Sequence, residues 1–414
     1  MDSTSVVYPT SNNNRPKVGS RSFWMAFCLT FPVLAKIILP SSLEKLLEMQ
    51  FIGVPVFLPN LLCLLFLFYS EKNHADKELK TIFWFQFLFM LLGFFFNGKS
   101  SLAFLLAGNF YYYILFLGLY CRVGLSERYW INRFMTIALL ILGAEVFLLG
   151  LGIVKGFGAV VVAEEAQEFG DFFRVATTAG AATGTAVHLY LLTALCVMLS
   201  ESVKWRYFIF AYGLSATVLT VSRGGAAAFF LYFMLWLFFR VKDGRGSRLK
   251  IIMGAVAVVA LLYGAGVFNP ILERVELKGQ DGTMLESRED RASTALSYYN
   301  QAESKLLGLG MTSLFRSSEI RHMGYENVVA PHNSYIQTLC EQGIIGLCLM
   351  ILFWLVFIIR NRRSRPVIIT MLPILLVLWN TESVPVVLSD YLISLSIIVM
   401  LALDKKRYEY LQTV

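Results

Sequence analysis

The sequence predicts an all-α polytopic membrane protein with about twelve transmembrane helices, both termini in the cytoplasm and one large loop on the opposite face. Three observations carry that reading. Hydrophobic residues make up 57% of the 414 and mean hydropathy is +0.63, far above a soluble globular chain. Apolar runs of about 15 to 25 residues recur from 22 to 403, each long enough to cross hydrocarbon. Lys and Arg gather in alternate short loops, as the positive-inside rule requires.

Taken in order, residues 1–21 form a polar tail containing Asn12-Asn13-Asn14, expected to be disordered and cytoplasmic. No small-residue cleavage site follows the first apolar run, so that run is expected to stay as a span. The spans fall at 22–40, 51–70, 82–97, 101–120, 134–155, 178–200, 206–221, 225–240, 250–268, 333–359, 367–383 and 386–403. The first contains Pro32 and Lys36, and the third is short. Nine spans thus occupy 22–268, a large outer loop covers 269–331, three more spans fill 332–404, and 405–414 is a second cytoplasmic tail. The inner loops hold Arg15, Lys17 and Arg21; Lys72, Lys77 and Lys80; Arg122, Arg128 and Arg133; Lys204 and Arg206; Arg240, Lys242, Arg245, Arg248 and Lys250; Arg360, Arg362, Arg363 and Arg365; and Lys405, Lys406 and Arg407.

Two outer segments are large. Residues 156–177 are acidic with interleaved aromatics. Residues 269–331 are nearly charge-balanced, and Glu286–Tyr299 within them reads as an amphipathic helix with a Ser287 cap and Asp290 at its third position, broken by Gly308-Leu309-Gly310. A loop this long with its own helix is ordinarily functional.

Composition also excludes several classes. The net charge of +8 is spent at helix ends, so nucleic acid is not an expected partner. The six cysteines sit in or beside apolar runs without paired spacing, which indicates neither a disulfide framework nor a zinc site. No His/Asp cluster has metal-ligand spacing, no Walker-type loop is present, and no cofactor is expected. A transporter would place charges mid-membrane, for which Glu145 and the Glu382/Asp390 region are the candidates.

The candidate site begins at Ala330-Pro331-His332-Asn333-Ser334-Tyr335. Pro331 suits the last extended residue before a helix, and Asn333 or Ser334 suits its cap. His332 is one of four histidines and alone stands beside an outer helix start, where a pKa near 6.5 suits a general base. An unbroken helix from Asn333 would carry Gly343 roughly 15 Å into the membrane, with Gly343 and Gly346 on one face for close helix contact. Arg223 lies between two apolar runs on the outer side, where positive-inside sorting does not explain it. Its guanidinium fork suits phosphate oxygens, and Gly224 and Gly225 would let backbone N–H groups approach an anion; a snorkelling arginine is the simpler alternative. Arg174 precedes a small, hydroxyl-rich helix start that could equally pack or line an anion pocket. Arg288 and Arg291 lie one turn apart on the loop helix, as ligands or as solvated charges paired with Glu289 or Asp290.

These residues resemble the landmarks of the O-antigen ligase and O-antigen polymerase superfamily. His332-Asn333, nine residues, then Gly343-x-x-Gly346 is similar to its signature. Ser222-Arg223-Gly224-Gly225, the Arg174 to Gly180/Gly184 segment, and the loop arginines followed by Gly308-Leu309-Gly310 resemble its other landmarks, over about residues 170 to 360. The resemblance implies a GT-C-like, metal-independent, inverting glycosyltransferase of the bacterial inner membrane, with its site facing the periplasm. It implies an undecaprenyl-diphosphate-linked glycan as donor, a lipid-linked glycan or lipid A core as acceptor, and a chain-length regulator as a further partner. On this chain it implies that Arg174, Arg223 and one of Arg288 or Arg291 hold the diphosphate, while His332 activates the acceptor hydroxyl. Polymerase of O-antigen, capsule or exopolysaccharide is slightly favoured over ligase, because Ala330 stands where ligases often carry a second histidine. A flippase or transporter of the same lipid-linked sugars is the alternative from another class.

Overall fold

The computed structural model describes residues 17–38, 48–51, 54–57, 127–151, 182–200, 202–220, 222–240, 283–310, 333–360 and 365–379, with isolated positions 81, 85, 88, 153, 175, 177 and 331. The expected spans at 82–97, 101–120, 250–268 and 386–403 lie outside these residues except for positions 85 and 88. So do the acidic segment 156–174, most of the N-terminal tail and the C-terminal tail.

The described chain is mostly helical. Helix α1 is Arg21–Ile38, α2 Arg128–Gly150, α3 Ala182–Leu199, α4 Val203–Leu219 and α5 Arg223–Arg240. Helix α6, Thr283–Asn300, falls within the segment 269–331; α7 is Ser334–Arg360, and α8, Arg365–Pro373, runs on into a π-helical turn, Ile374–Leu378. A two-stranded antiparallel hairpin pairs β1, Glu48–Phe51, with β2, Val54–Phe57. It corrects the all-α expectation locally, because 51–57, read as the start of a span, is rich in β-formers with Pro55 inside. Proline inside a helix would remove a backbone bond, whereas the edge of a hairpin tolerates it.

Helix α3 is the hub. Every residue from Thr185 to Val197 is buried, the pattern of a helix apolar all round and enclosed by neighbours. Helices α2, α4 and α5 pack against it, and Tyr190 donates to the Thr370 carbonyl of α8 at 3.0 Å. Small residues set the close approaches: a Cβ on Gly213 of α4 would strike Thr193, and one on Gly143 of α2 would strike Tyr212. Tyr212 also donates to the Leu140 carbonyl at 2.7 Å. Such small-residue contacts draw helices together where hydrophobic collapse is weak.

Arginines collect at one end of the bundle. Arg128, at the start of α2, donates to the Leu199 carbonyl at 3.1 Å, and Arg206, in the first turn of α4, donates to Ser200 O at 2.7 Å. Both satisfy carbonyls at the negative end of the α3 dipole. At the opposite end of α2, a Cβ on Gly150 would meet Val175 and Leu219. Helix α2 therefore starts six residues earlier than the hydropathy window at 134–155 suggests, since arginines can sit at a helix end by snorkelling. Outward-facing Ile137, Ile141 and Leu148 on α2, Phe208 on α4, Phe230 and Met234 on α5, and Ile351, Leu352 and Leu355 on α7 are exposed. A helix that buries one apolar face and shows another to its surroundings suits lipid. By length and composition, Arg128–Gly150 and Ser334–Val356 are each sufficient to cross a membrane.

Candidate functional site at the start of helix α7

Helix α7 begins where the sequence marks a cap, and Asn333 is the residue that serves. Its Oδ1 accepts from the Tyr335 and Ile336 backbone N–H groups at 2.9 and 3.1 Å, and its carbonyl accepts from Gln337 N at 2.9 Å. Two of the N-terminal orphan donors are thereby satisfied. Pro331 is buried, so the chain enters the cap from a fixed point. His332 stands between these two anchors but lies outside the described residues, as does Arg174.

The first half of α7 turns a polar face inward. Ser334, Gln337, Thr338, Glu341 and Gln342 are all buried, which in an apolar chain demands hydrogen-bonding partners. Thr338 donates to the Ser334 carbonyl at 2.8 Å. Tyr335 donates to the Leu375 carbonyl of the π-helical turn at 2.7 Å and packs edge-on against Trp379, 5.9 Å between ring centres. Helix α5, which carries Arg223, packs against the same turn. The π-helical turn is thus a common neighbour of the α7 start and of α5.

The unbroken helix expected through Gly343 is not what forms. Gly343 has φ 69° and ψ −170° inside the α7 range, a backbone conformation that glycine alone adopts cheaply. Thr338 Oγ1 lies 3.6 Å from Met350 Sδ across twelve residues. A straight helix would separate those Cα atoms by about 18 Å, so the two halves fold back toward each other at the glycine. Gly343 and Gly346 therefore do not share a packing face on one continuous helix.

Residues 305–310 fill that break. Gly308 and Gly310, with φ 72° and 99°, shape a turn that lies against it. The N–H groups of Leu309 and Gly310 donate to the carbonyls of Cys340 and Glu341 at 2.8 and 3.0 Å. Those of Ile344 and Ile345 donate to the carbonyls of Lys305 and Leu306 at 3.1 and 3.2 Å. Non-helical backbone in a membrane protein is tolerated where protein satisfies it in this way. Helix α6 ends at Asn300, eight residues before the expected break at Gly308. It also begins at Thr283, ahead of the expected Ser287 cap, because Met284, Leu285 and Glu286 are strong helix formers and extend it backward; Ser287 falls inside the helix.

Helix α6 docks on the first half of α7. Ala295, Tyr299 and Cys340 form a small core flanked by Leu296, Tyr298, Leu309, Ile336 and Leu339. The Cys340 thiol donates to the Ala295 carbonyl at 3.4 Å, and Tyr299 donates to Lys305 O at 2.7 Å. Burial, with Cys340 close by, pushes the Tyr299 phenol above its ordinary range. Both helices run toward the Gly308–Gly343 junction, which leaves Arg288 and Arg291, upstream of Ala295, in the half of α6 away from it, as Asn333 is in α7.

Arg223 is the first residue of α5 and is half-buried. Ser222 caps the helix, its Oγ accepting from Gly225 N at 3.3 Å and its carbonyl from Ala226 N at 3.0 Å. The Gly225 N–H is thereby engaged within the chain. A Cβ on Gly225 would sit 2.7 Å from Ala186 Cβ and 2.9 Å from Thr217 Cγ2, so this glycine serves the contact of α5 with α3 and α4. Gly224 beside it is half-buried, while Gly184 of α3 faces open space, with no heavy atom within 4 Å of a built Cβ.

Sequence reasoning missed the break and the turn that fills it. The signal was present: the polar pair Glu341-Gln342 ahead of a glycine, in the middle of an apolar run, marks a local helix interruption.

Compared with known families, residues 208–351 match the O-antigen ligase family. The match covers 144 of the 414 residues, about a third of the chain. No curated protein matches the chain. The O-antigen ligase match runs from α4 through α5 and α6 into the second half of α7, and its range takes in Arg223, Arg288, Arg291, His332, Gly343 and Gly346. Arg174 lies before it. This match and the apolar helices are those of an integral membrane protein.

Proposed function

We propose that the protein is a periplasmic-face glycosyltransferase of the bacterial inner membrane, working on an undecaprenyl-diphosphate-linked glycan. The observation that carries this reading is the family match across Arg223, Arg288, Arg291 and His332. Within that range, α6 and the start of α7 are bonded into one outer assembly. About twelve spans, with both termini in the cytoplasm, put that assembly on the outer face.

In this mechanism Arg223, with Arg174 and one of Arg288 or Arg291, grips the diphosphate of the donor. The arginine forks meet the oxygens where negative charge grows as the leaving group departs. His332 takes the proton from the acceptor hydroxyl as that oxygen attacks the anomeric carbon. The new C–O bond forms on the face opposite the departing lipid diphosphate, so configuration inverts. Fixing both lipid-anchored reactants in one cavity supplies the proximity contribution, worth about 7 to 11 kcal/mol in favourable cases. No metal or other cofactor enters the scheme. Asn333 supports His332 by holding the helix start, and Gly224, Gly225, Gly343 and Gly346 support the backbone shape.

The acceptor is a second lipid-linked glycan, which makes the protein a polymerase; Ala330 immediately ahead of Pro331-His332 favours this over transfer to lipid A core. Purified protein is supplied with lipid-linked repeat units alone. Elongation defines the polymerase, whereas product only after addition of lipid A core defines the ligase. His332→Ala and Arg223→Ala are each expected to abolish transfer while the protein remains in the membrane. Full activity in both variants would end the catalytic reading of these two residues.

A further inference from the structure

The Gly308–Gly343 junction ties together two elements that the chain separates by the length of the outer loop. On one side is α6, bearing Arg288 and Arg291; on the other is the half-helix that starts at Asn333. Four backbone hydrogen bonds cross the junction in reciprocal pairs, Leu309 and Gly310 giving to α7 and Lys305 and Leu306 accepting from it. The two glycines meet backbone to backbone. A Cβ on Gly343 would collide with the Leu306 carbonyl, and one on Gly308 would come within 2.7 Å of the Cys340 carbonyl. Beside them Ala295, Tyr299 and Cys340 are buried against one another. Backbone bonds satisfied on both sides, and a buried apolar contact alongside, are the marks of a stiff joint.

We propose that residues 305–310 and the Gly343 break form a positioning clamp that makes α6 and the first half of α7 one rigid body. Gly308, Gly310 and Gly343 are its positioning residues. The clamp presents the loop arginines and His332 at fixed spacing to a single polyprenyl-diphosphate-linked glycan and its acceptor hydroxyl. This rests on the transferase reading above. The second half of α7 and the bundle carry the clamp; they do not need to move relative to α6 for each transfer.

The test uses the full-length protein and a labelled polyprenyl-diphosphate-linked repeat unit. Ala295→Cys is paired with the native Cys340 and oxidised with copper phenanthroline, with Ala295→Cys/Cys340→Ala as control. The disulfide is expected to form and to leave transfer within about twofold of the reduced protein, because locking a state already occupied shifts no equilibrium. Failure of the bond to form overturns the clamp, as does a loss of transfer that dithiothreitol restores. Gly343→Ala is expected to lower the transfer rate at least about thirtyfold while donor affinity changes less than about threefold, since His332 loses register while Arg223 and Arg174, outside the clamp, still hold the diphosphate. A wild-type rate, or equal losses of affinity and rate, overturns it too. Should Gly343→Ala not accumulate in the membrane, the cross-link decides alone. Wild-type transfer by His332→Ala would instead sink the role of His332 as base; an inactive His332→Ala protein beside a wild-type Gly343→Ala sinks only the clamp.

Discussion

Replacing Asn333 by alanine separates what the cap does from what its neighbour does. The Oδ1 atom accepts two backbone N–H groups, at 2.9 and 3.1 Å, and alanine leaves both without that partner. Loss of a good N-cap costs about 1 kcal/mol, with a range of roughly 0.5 to 2. Since each 1.4 kcal/mol is tenfold in an equilibrium, local opening of the first turn of α7 becomes about fivefold more frequent. Hydrogen–deuterium exchange of a peptide containing Tyr335 and Ile336 reads this directly, and protection should fall by that factor. The rest of α7 should be unchanged, because the Tyr335 bond to Leu375 and the junction at Gly343 are intact. Asn333→Ser and Asn333→Asp keep a side-chain acceptor and should restore protection. Transfer activity should follow the cap: His332 is the next residue, and a displacement of about 1 Å in a reacting group can cost about a hundredfold. Equal exchange in the alanine and serine variants would refute the capping argument. Full activity in the alanine variant, with protection lost, would show that His332 does not depend on the cap.

Three further outcomes follow from the same geometry. Gly225→Leu should prevent close approach of α5 to α3 and α4, where even a Cβ meets Ala186 at 2.7 Å; overpacking of this kind costs about 1 to 3 kcal/mol, seen as a lower unfolding temperature in detergent and less protein in the membrane. Tyr299→Phe removes the 2.7 Å bond to Lys305 O, worth about 1 kcal/mol, and should raise exchange in residues 305–310. Because burial raises the Tyr299 pKa, its neutral form favours the folded state. That contribution is whole below the ordinary tyrosine value of about 10 and is lost only as pH climbs past it, so the effect of the substitution should be flat between neutrality and mild alkali. Single cysteines placed at 330, 332 or 333 in a cysteine-free background should react with a membrane-impermeant thiol reagent from the periplasmic side, and labelling from the cytosol alone would overturn the orientation.

Much of the helical layout was legible in the sequence because hydropathy and capping chemistry are local. The runs at 22–40, 178–200, 206–221 and 225–240 correspond to helices displaced by four residues at most, and Asn333 is the one of the two expected caps, Asn333 or Ser334, that serves. The failures share a different cause. Whether Gly343 continues a helix or breaks it depends on what lies beside it, and Lys305 and Leu306 are far away in the chain. Likewise Gly225 reads as freedom for an anion to approach, yet Ala186 and Thr217 occupy that side. The sequence at 51–57 looks apolar enough to begin a span, but Pro55 and β-formers suit a hairpin better once a partner strand is available. Arg288 and Arg291 could be placed on a helix from pattern alone; which surface that helix meets was set by Cys340 and Leu339, across the outer loop.

Helix α3 has one more consequence. Enclosed by its neighbours from Thr185 to Val197, it can carry Thr185, His188 and Thr193 buried among other helices. Because α4, α5 and α8 follow α3 in the chain, segments made later complete the enclosure of an earlier one.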